Sequence, residues 1–95
     1  MPRDPIDHEV KTWPEFFQQV WDGIKPFELR YNDRDYQEKD RLILREWCPV
    51  RKLYTGRRII ADVLSVISWS MALQPGHVAM GLHVTEKIGG DTPHG

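Results

Sequence analysis

The chain has 95 residues, of which 40% are hydrophobic and 28% charged, and its net charge is −1 at pH 7. This length suits one small domain with a single core, and the apolar content excludes a chain that is disordered throughout. One cysteine, Cys48, excludes an internal disulfide framework, and no apolar run approaches the roughly 20 residues that span a bilayer, so we expect a cytoplasmic protein with no membrane partner.

The first predicted elements are a short strand over "HEVK" (8–11) and a helix at about residues 13–22. Thr12 and Glu15 have the spacing of a capping box, and Gly23 is well placed to end the helix. The aromatic and aliphatic residues of this segment recur at i, i+3, i+4, i+7 and i+8, which predicts one core-facing stripe. The stripe consists of Trp13, Phe16, Phe17, Val20 and Trp21.

Four more strands are predicted after the helix, over residues 27–32, 41–48, 57–69 and 77–84. The connection before the third of them contains Gly56, which suits a hairpin turn. Alternation in the last two strands predicts the residues of their buried faces. These residues are Ile59, Ala61, Val63 and Ile67, followed by Val78, Met80, Leu82 and Val84.

These elements predict an α+β, mostly β, fold class. We expect a small, mostly antiparallel β-barrel of about five strands, closed on one side by one main helix at about residues 13–22. Residues 1–95 are expected to form a single domain with an ordered core at about 7–85. The ends, including "GGDTPHG" (89–95), are expected to be loose tails.

The segment "GIKPFELR" (23–30) places two cations and one carboxylate between the helix and the next strand. Alternation sends Glu28 and Arg30 to one face of that strand, and Phe27 and Leu29 to the other. The charges can be a solvated strand edge, with exposed ion pairs that contribute about 0–1 kcal/mol. They can also form a site for an anion, because Arg30 offers a planar fork that matches phosphate or a base edge.

The distribution of charge along the chain bears on that choice. Residues 25–58 contain ten Lys or Arg and six Asp or Glu, whereas the rest contains three and eight. Either the central strands carry ordinary solvated charge, or a neutral protein has one basic face that suits a polyanion or a phosphate-bearing ligand.

The order of helix, G-x-K-x-x-E-x-R, polar loop and hydrophobic strand resembles the ASCH domain of the PUA-like superfamily. The segments "HEVKTWPEFF", "WDGIKPFELRYNDRDYQEKDRLILREW" and "YTGR" are similar to a small bacterial and phage subfamily of ASCH-like proteins, from about His8 to Val84. The family's signature residues fall on Gly23, Lys25, Glu28 and Arg30. Relatives commonly have a glycine where this chain has Lys39, so we expect the turn there to be built differently.

This resemblance implies a PUA-like β-barrel with an RNA- or nucleotide-binding cleft beside the motif. Some ASCH relatives resemble amidohydrolases that act on a modified cytidine, and nuclease activity is also associated with the superfamily. In the hydrolase-like motif a threonine stands where this chain has Glu28. A carboxylate close to Lys25 favours the charged ammonium, which suits anion binding and opposes a lysine acting as base or nucleophile.

We therefore expect an RNA- or nucleotide-binding module rather than an enzyme. One alternative is a small hydrolase on a modified nucleoside or on RNA, with Lys25 and Glu28 as catalytic residues and a second acid such as Glu46 or Asp62. Another is a phage- or plasmid-type protein that binds a protein partner. No metal or cofactor is expected, and the oligomeric state is expected to be a monomer or weak dimer. The predicted ligand-binding residues are Lys25, Glu28, Arg30, Lys11, His8, Asn32 and Arg34.

Overall fold

The structure, a computed structural model, describes residues 3–69 and 72–89. Its elements in chain order are β1 (Asp7–Thr12), α1 (Pro14–Trp21), β2 (Phe27–Tyr31), β3 (Arg41–Cys48), β4 (Leu53–Ile67) and β5 (His77–Ile88). The predicted small α+β, mostly β, fold with five strands and one short helix is confirmed. Except for Gly89, the tail predicted to be loose lies outside the described residues.

The five strands form one sheet in the order β1-β3-β4-β5-β2, which curls into a half-barrel. The β1–β3 pair is parallel, and the other three neighbouring pairs are antiparallel. Strands β1 and β2 are therefore the two edges of the sheet. The helix α1 packs against β3, and closure of a barrel by this helix stays a prediction. No helix in 3–69 or 72–89 has the length and apolar character needed to cross a membrane.

The core lies on the concave side of the sheet, under α1. Most of the side chains predicted for β4 and β5 are buried there, but Ile67 is 48% exposed. The pairing of β4 with β5 shifts between Val63 and Ser65, so that Val66 rather than Ile67 packs against the core. Such an irregularity reverses the faces of all later residues in a strand, and simple alternation does not predict it.

The helix buries less of its apolar stripe than predicted. Phe17 and Val20 are fully buried, and Trp21 packs at the margin of the core. Trp13 and Phe16 are 49% and 47% exposed, respectively. The buried part of the stripe is thus its second half, and the first half, Trp13 and Phe16, remains available to solvent.

Both helix ends differ in detail from the sequence expectation. The N-cap residue is Trp13, with no side-chain cap, so the predicted capping box of Thr12 and Glu15 does not form. At the other end Gly23 has φ +77°, directly after the C-cap residue Asp22, and its N–H donates to the carbonyl of Val20. Glycine adopts this left-handed conformation without steric cost, which confirms its predicted role in ending the helix.

The turn between β3 and β4 lies at residues 49–52, earlier than Gly56 suggests. There Lys52 has φ +57°, and its N–H donates to the carbonyl of Cys48. Gly56, with φ +100°, lies inside β4. The prediction of a hairpin turn at Gly56 is therefore wrong. The chain turns earlier, at the left-handed Lys52, and β4 has already begun before Gly56 and before its first core residue, Ile59.

A second left-handed lysine occurs in the turn before Asp40, which the resemblance to ASCH-like proteins predicted to be built differently from a glycine turn. Lys39 has φ +76°, and its N–H donates to the carbonyl of Val63 at 2.9 Å. The backbone of this turn is therefore of the kind that glycine favours, although the residue is a lysine. A non-glycine residue in this conformation carries a steric cost of about 1–2 kcal/mol.

We expect Lys39→Gly to raise the free energy of unfolding by about 1 kcal/mol, because it removes that cost while the backbone hydrogen bond remains. Glu38→Gly is the matched control, because Glu38 has a negative φ and therefore no left-handed strain to remove. This substitution changes only the conformational entropy of the unfolded chain, which glycine increases. This control is expected to lower stability by about 0.5 kcal/mol. Urea denaturation of both variants measures the difference, and a destabilised Lys39→Gly contradicts the assignment of strain to this residue.

The carboxylate of Asp40 is completely buried and forms hydrogen bonds with two side chains and two backbone N–H groups. Arg3 donates through both Nη atoms, at 2.8 and 2.7 Å, and His8 Nε2 lies 2.8 Å from Oδ2. The backbone N–H groups of Ile6 and Gln37 also donate to it. Burial alone raises the pKa of Asp40, but these hydrogen bonds outweigh burial and hold the pKa well below its ordinary value.

Candidate functional site

An open cleft with a volume of about 770 Å³ lies between the free edge of β2 and the junction of β1 with α1. Its walls combine aromatic side chains with three cations and one carboxylate, so the cleft has an excess of positive charge. The lining residues are Lys11, Thr12, Trp13, Phe16, Gln19, Lys25, Phe27, Glu28, Leu29, Arg30, Tyr31 and His77.

Glu28 lies at the centre of the charged wall. Its side chain is only 5% exposed, and Arg30 Nε donates to its Oε2 at 2.7 Å. Lys25 Nζ lies 3.6 Å from Oε1, close enough for an ion pair and beyond hydrogen-bond distance. The structure therefore brings the three charged residues of the motif into one cluster. Glu28 and Arg30 lie on the face of β2 opposite to Phe27 and Leu29.

The second oxygen of the Glu28 carboxylate is unusual. Among the described residues, Oε1 is a buried side-chain oxygen with no hydrogen-bond partner. The ammonium of Lys25 covers it and lies between two rings, 5.3 Å from the centre of Phe16 and 5.6 Å from the centre of Phe27. A buried polar atom without a partner costs about 1–3 kcal/mol, and more when the group is charged. The cleft thus contains an unused acceptor beside a cation that is attached by a flexible chain.

Two arginines bridge the gap between the sheet edges, and we call this bridge the arginine seam (Arg30 and Arg34). Arg30 Nη2 donates to the carbonyl of Lys11 at 2.7 Å and to Thr12 Oγ1 at 3.2 Å, and Arg34 Nη1 donates to the carbonyl of Glu9. Carbonyls alternate in direction along a strand, and Glu9 and Lys11 direct theirs away from β3. Side chains, rather than strand pairing, therefore join β1 to β2.

The remaining predicted ligand-binding residues are divided between the cleft and other places. Lys11 lines the cleft. Arg34 belongs to the arginine seam, and Asn32 accepts a hydrogen bond from the backbone N–H of Tyr36 through Oδ1. His8 is 4% exposed and is bound to Asp40, outside the cleft. The structure thus brings Lys11, Lys25, Glu28 and Arg30 together and leaves the other three elsewhere.

Several cleft residues were not singled out in the sequence. Phe16 was assigned to the core, and Phe27 was known only to lie opposite Glu28, yet both flank Lys25. Trp13, also assigned to the core, lines the cleft as well, whereas Tyr36 is buried against His8. The available signal was the shortness of the helical segment, which leaves one end of a long apolar stripe without a strand to cover it.

The cleft can accept a ligand that carries an anion, a flat ring and an N–H donor. Cations attract the anion, aromatic faces stack the ring, and Glu28 Oε1 accepts the hydrogen bond. The described residues contain no group of three or more His, Cys, Asp or Glu side chains placed to hold a metal ion.

Comparison with known proteins gives a family and one phage relative. Residues 7–82 match DUF3850, described as a domain of unknown function. A protein of Escherichia phage P2, named "Uncharacterized 12.9 kDa protein in GpA 3'region", is 42% identical over 65 residues. The aligned part covers 65% of this chain and 58% of the phage protein, so the chain spans less than two thirds of that relative's length.

Proposed function

The chain belongs to the DUF3850 family, and we propose, because its cleft offers an unused buried acceptor among cations and rings, that it binds a ribonucleotide, free or within an RNA strand. As part of the same proposal, the domain is an ASCH domain of the PUA-like superfamily that acts in the cytoplasm. The support is the G-x-K-x-x-E-x-R motif and the position of its charged residues in a cleft of a five-stranded, mostly antiparallel sheet.

The observation that carries the proposal is Glu28 Oε1, a buried carboxylate oxygen with no hydrogen-bond partner. Arg30 occupies the other oxygen, so one position on Glu28 remains for a donor. Lys25 covers this position without a hydrogen bond to it. A ligand anion that attracts the Lys25 ammonium exposes Oε1, and the exocyclic amino group of a nucleobase then donates to it.

The rest of the cleft supplies what the other parts of a nucleotide need. Trp13, Phe16 and Phe27 offer aromatic faces on which a base can stack. Lys11 and Lys25 offer ammonium groups to phosphate. Arg30 has no hydrogen-bond partner at Nη1 among the described residues, so part of its fork is available to the ligand.

We propose binding rather than hydrolysis for two reasons. Lys25 is in an ion pair with Glu28, which opposes a role as nucleophile or base. Among the described residues, Glu28 is the only acid in the cleft walls, so the second acid of a hydrolase is absent there. Neither Glu46 nor Asp62 lines the cleft, and Glu46 belongs to another cluster. There Arg57 donates to both of its oxygens, at 2.8 and 2.9 Å, and holds the pKa of Glu46 below its ordinary value.

We expect CMP to bind about tenfold more tightly than UMP, because the two differ at the group that faces Glu28 Oε1. Cytosine has an amino donor at C4 where uracil has a carbonyl acceptor. Glu28→Gln is expected to reduce this preference to about twofold, since an amide can donate as well as accept. Isothermal titration calorimetry measures both affinities for both proteins.

The controls separate charge from position. Lys25→Ala and Arg30→Ala are expected to weaken binding of CMP and UMP alike, by about tenfold each. Lys87→Ala removes the same charge at an exposed position outside the cleft and is expected to change the affinity by less than about twofold. The proposal fails if none of the four ribonucleoside monophosphates binds at millimolar concentration, or if the unmodified protein deacetylates N4-acetylcytidine.

A further inference from the structure

A row of four side chains, two aromatic rings between two cations, leaves the cleft and crosses the outer face of the sheet. We call it the outer strip (Lys11, Trp47, Tyr54 and Arg45). Lys11 Nζ lies 4.2 Å from the centre of the Trp47 ring, which meets the Tyr54 ring edge-on at 5.0 Å. The guanidinium of Arg45 lies 3.8 Å from the centre of the Tyr54 ring. Because Lys11 also lines the cleft, the two surfaces are continuous.

The outer strip is accessible and carries net positive charge. Tyr54 is 37% exposed, and so is the side chain of Arg45. The acidic neighbour of Arg45 is Glu9, at 3.6 Å, and Glu9 is 62% exposed. An ion pair so open to water contributes little, so the charge of Arg45 remains available to a ligand.

The pairing of β3 with β4 is a second observation that favours an anionic ligand on the outer strip. Arg45 lies directly opposite Arg58 in the register of the two strands. Like charges at directly opposed positions of a sheet destabilise it. A polyanion bound across this face reduces the repulsion between the two arginines. Without such a ligand, their opposed positions do not stabilise the folded protein.

We propose that the outer strip binds the nucleotides next to the one in the cleft, so that the ligand is a single-stranded RNA segment of about three nucleotides. This inference rests on the proposed function and extends it from one nucleotide to a strand. Trp47 and Tyr54 each offer a ring on which one flanking base stacks. The guanidinium of Arg45 is a planar cation that stacks on a base or binds a phosphate. Lys11 lies where the strand leaves the cleft and contacts the phosphate there.

The test compares oligocytidylates of one to six nucleotides by fluorescence anisotropy with the full chain. Affinity is expected to rise at least tenfold from CMP to the trinucleotide and then to level off. Tyr54→Ala and Arg45→Ala are expected to weaken trinucleotide binding about five- to tenfold and to leave CMP binding unchanged. Arg45→Ala is also expected to make the salt dependence of trinucleotide binding shallower by about one ion.

Two further variants keep the test decisive. Tyr54→Leu retains apolar packing on Trp47 but removes the stacking ring, so it guards against a folding defect in Tyr54→Ala. Trp69→Ala removes an aromatic side chain that is 81% exposed and lines no part of the cleft, and trinucleotide binding is expected to be unaffected. A circular-dichroism melt verifies that each variant is folded.

The outcomes separate the two proposals. If CMP binds and the trinucleotide binds no more tightly, the outer strip is not an RNA surface and this inference is overturned, while the proposed function stands. If length increases affinity but the variants of Tyr54 and Arg45 do not reduce it, the flanking nucleotides lie elsewhere and the inference is again overturned. A dimer in sedimentation velocity that Tyr54→Ala dissociates, without length dependence, assigns the strip to a second copy of the chain. If neither CMP nor any oligocytidylate binds, the proposed function itself fails.

Discussion

Replacing Phe17 with alanine is expected to lower the free energy of unfolding by about 3–5 kcal/mol. Phe17 is completely buried between the sheet and the rest of α1. Its ring lies 5.8 Å from that of Trp21, and the guanidinium of Arg57 lies 4.9 Å from its centre. Truncation removes the transfer free energy of the ring and leaves a cavity that an eight-residue helix cannot collapse without losing its position on β3.

Phe16→Ala is the matched control on the same helix. Phe16 is 47% exposed and faces the cleft, so we expect a loss of less than about 1 kcal/mol. Urea denaturation followed by tryptophan fluorescence measures both variants. Equal losses for the two substitutions contradict the packing described here. The two variants also separate stability from binding, because Phe16 flanks Lys25 in the cleft and Phe17 does not.

Asp40→Asn is expected to lower the free energy of unfolding by about 3 kcal/mol at pH 7, because it removes one partner of a buried ion pair. An asparagine side chain keeps one acceptor oxygen but places an amide donor against Arg3 and His8. Asp35→Asn is the control, since Asp35 lies 3.6 Å from the same Arg3 with 74% of its side chain exposed. Its loss is expected to stay below about 0.5 kcal/mol.

The pH dependence gives an independent measure of the same carboxylate. Hydrogen bonds lower the pKa of Asp40 in the folded protein below its unfolded value of about 3.9, although burial opposes them. The unfolded chain therefore binds the proton first, and the stability from Asp40 is present above about pH 4 and disappears as the pH falls. The difference between the wild type and Asp40→Asn is expected to shrink steadily below about pH 4. A constant difference from pH 7 to pH 2 contradicts this account.

The sequence predicts the elements of this fold better than their surfaces. Alternation along the strands and the aromatic segment that ends at Gly23 are local patterns, and they place five strands and one helix nearly correctly. Which of the two faces of an alternating strand is buried depends on the elements that pack against it. In β2 the charged residue Glu28 is buried, and the apolar residues Leu29 and Tyr31 are 54% and 60% exposed. Glu28 is bound by Arg30, which in turn donates to Thr12 and to the carbonyl of Lys11 on the opposite strand edge.

The candidate site shows the same division between local and long-range information. The motif spacing predicts that Glu28 and Arg30 share a face, which the 2.7 Å contact confirms. His8, on the first strand next to Glu9, was a candidate ligand-binding residue, with a structural histidine as the alternative. It faces the opposite way because Asp40, 32 residues later, offers its carboxylate to the ring. The hydrogen-bond partners of a buried carboxylate can come from any part of the chain, so a single sequence does not predict which residues they are.

The arginine seam has a consequence for how this sheet avoids aggregation. A half-barrel has two edge strands, and their unpaired backbone groups are templates for pairing with another chain. Arg30 and Arg34 occupy carbonyls on the free edge of β1, so they act as gatekeepers against intermolecular β-pairing. The same Arg30 also lines the cleft. An arginine retained at this position among relatives is therefore expected even in a protein that has lost its ligand, and its retention alone is not a signature of nucleotide recognition.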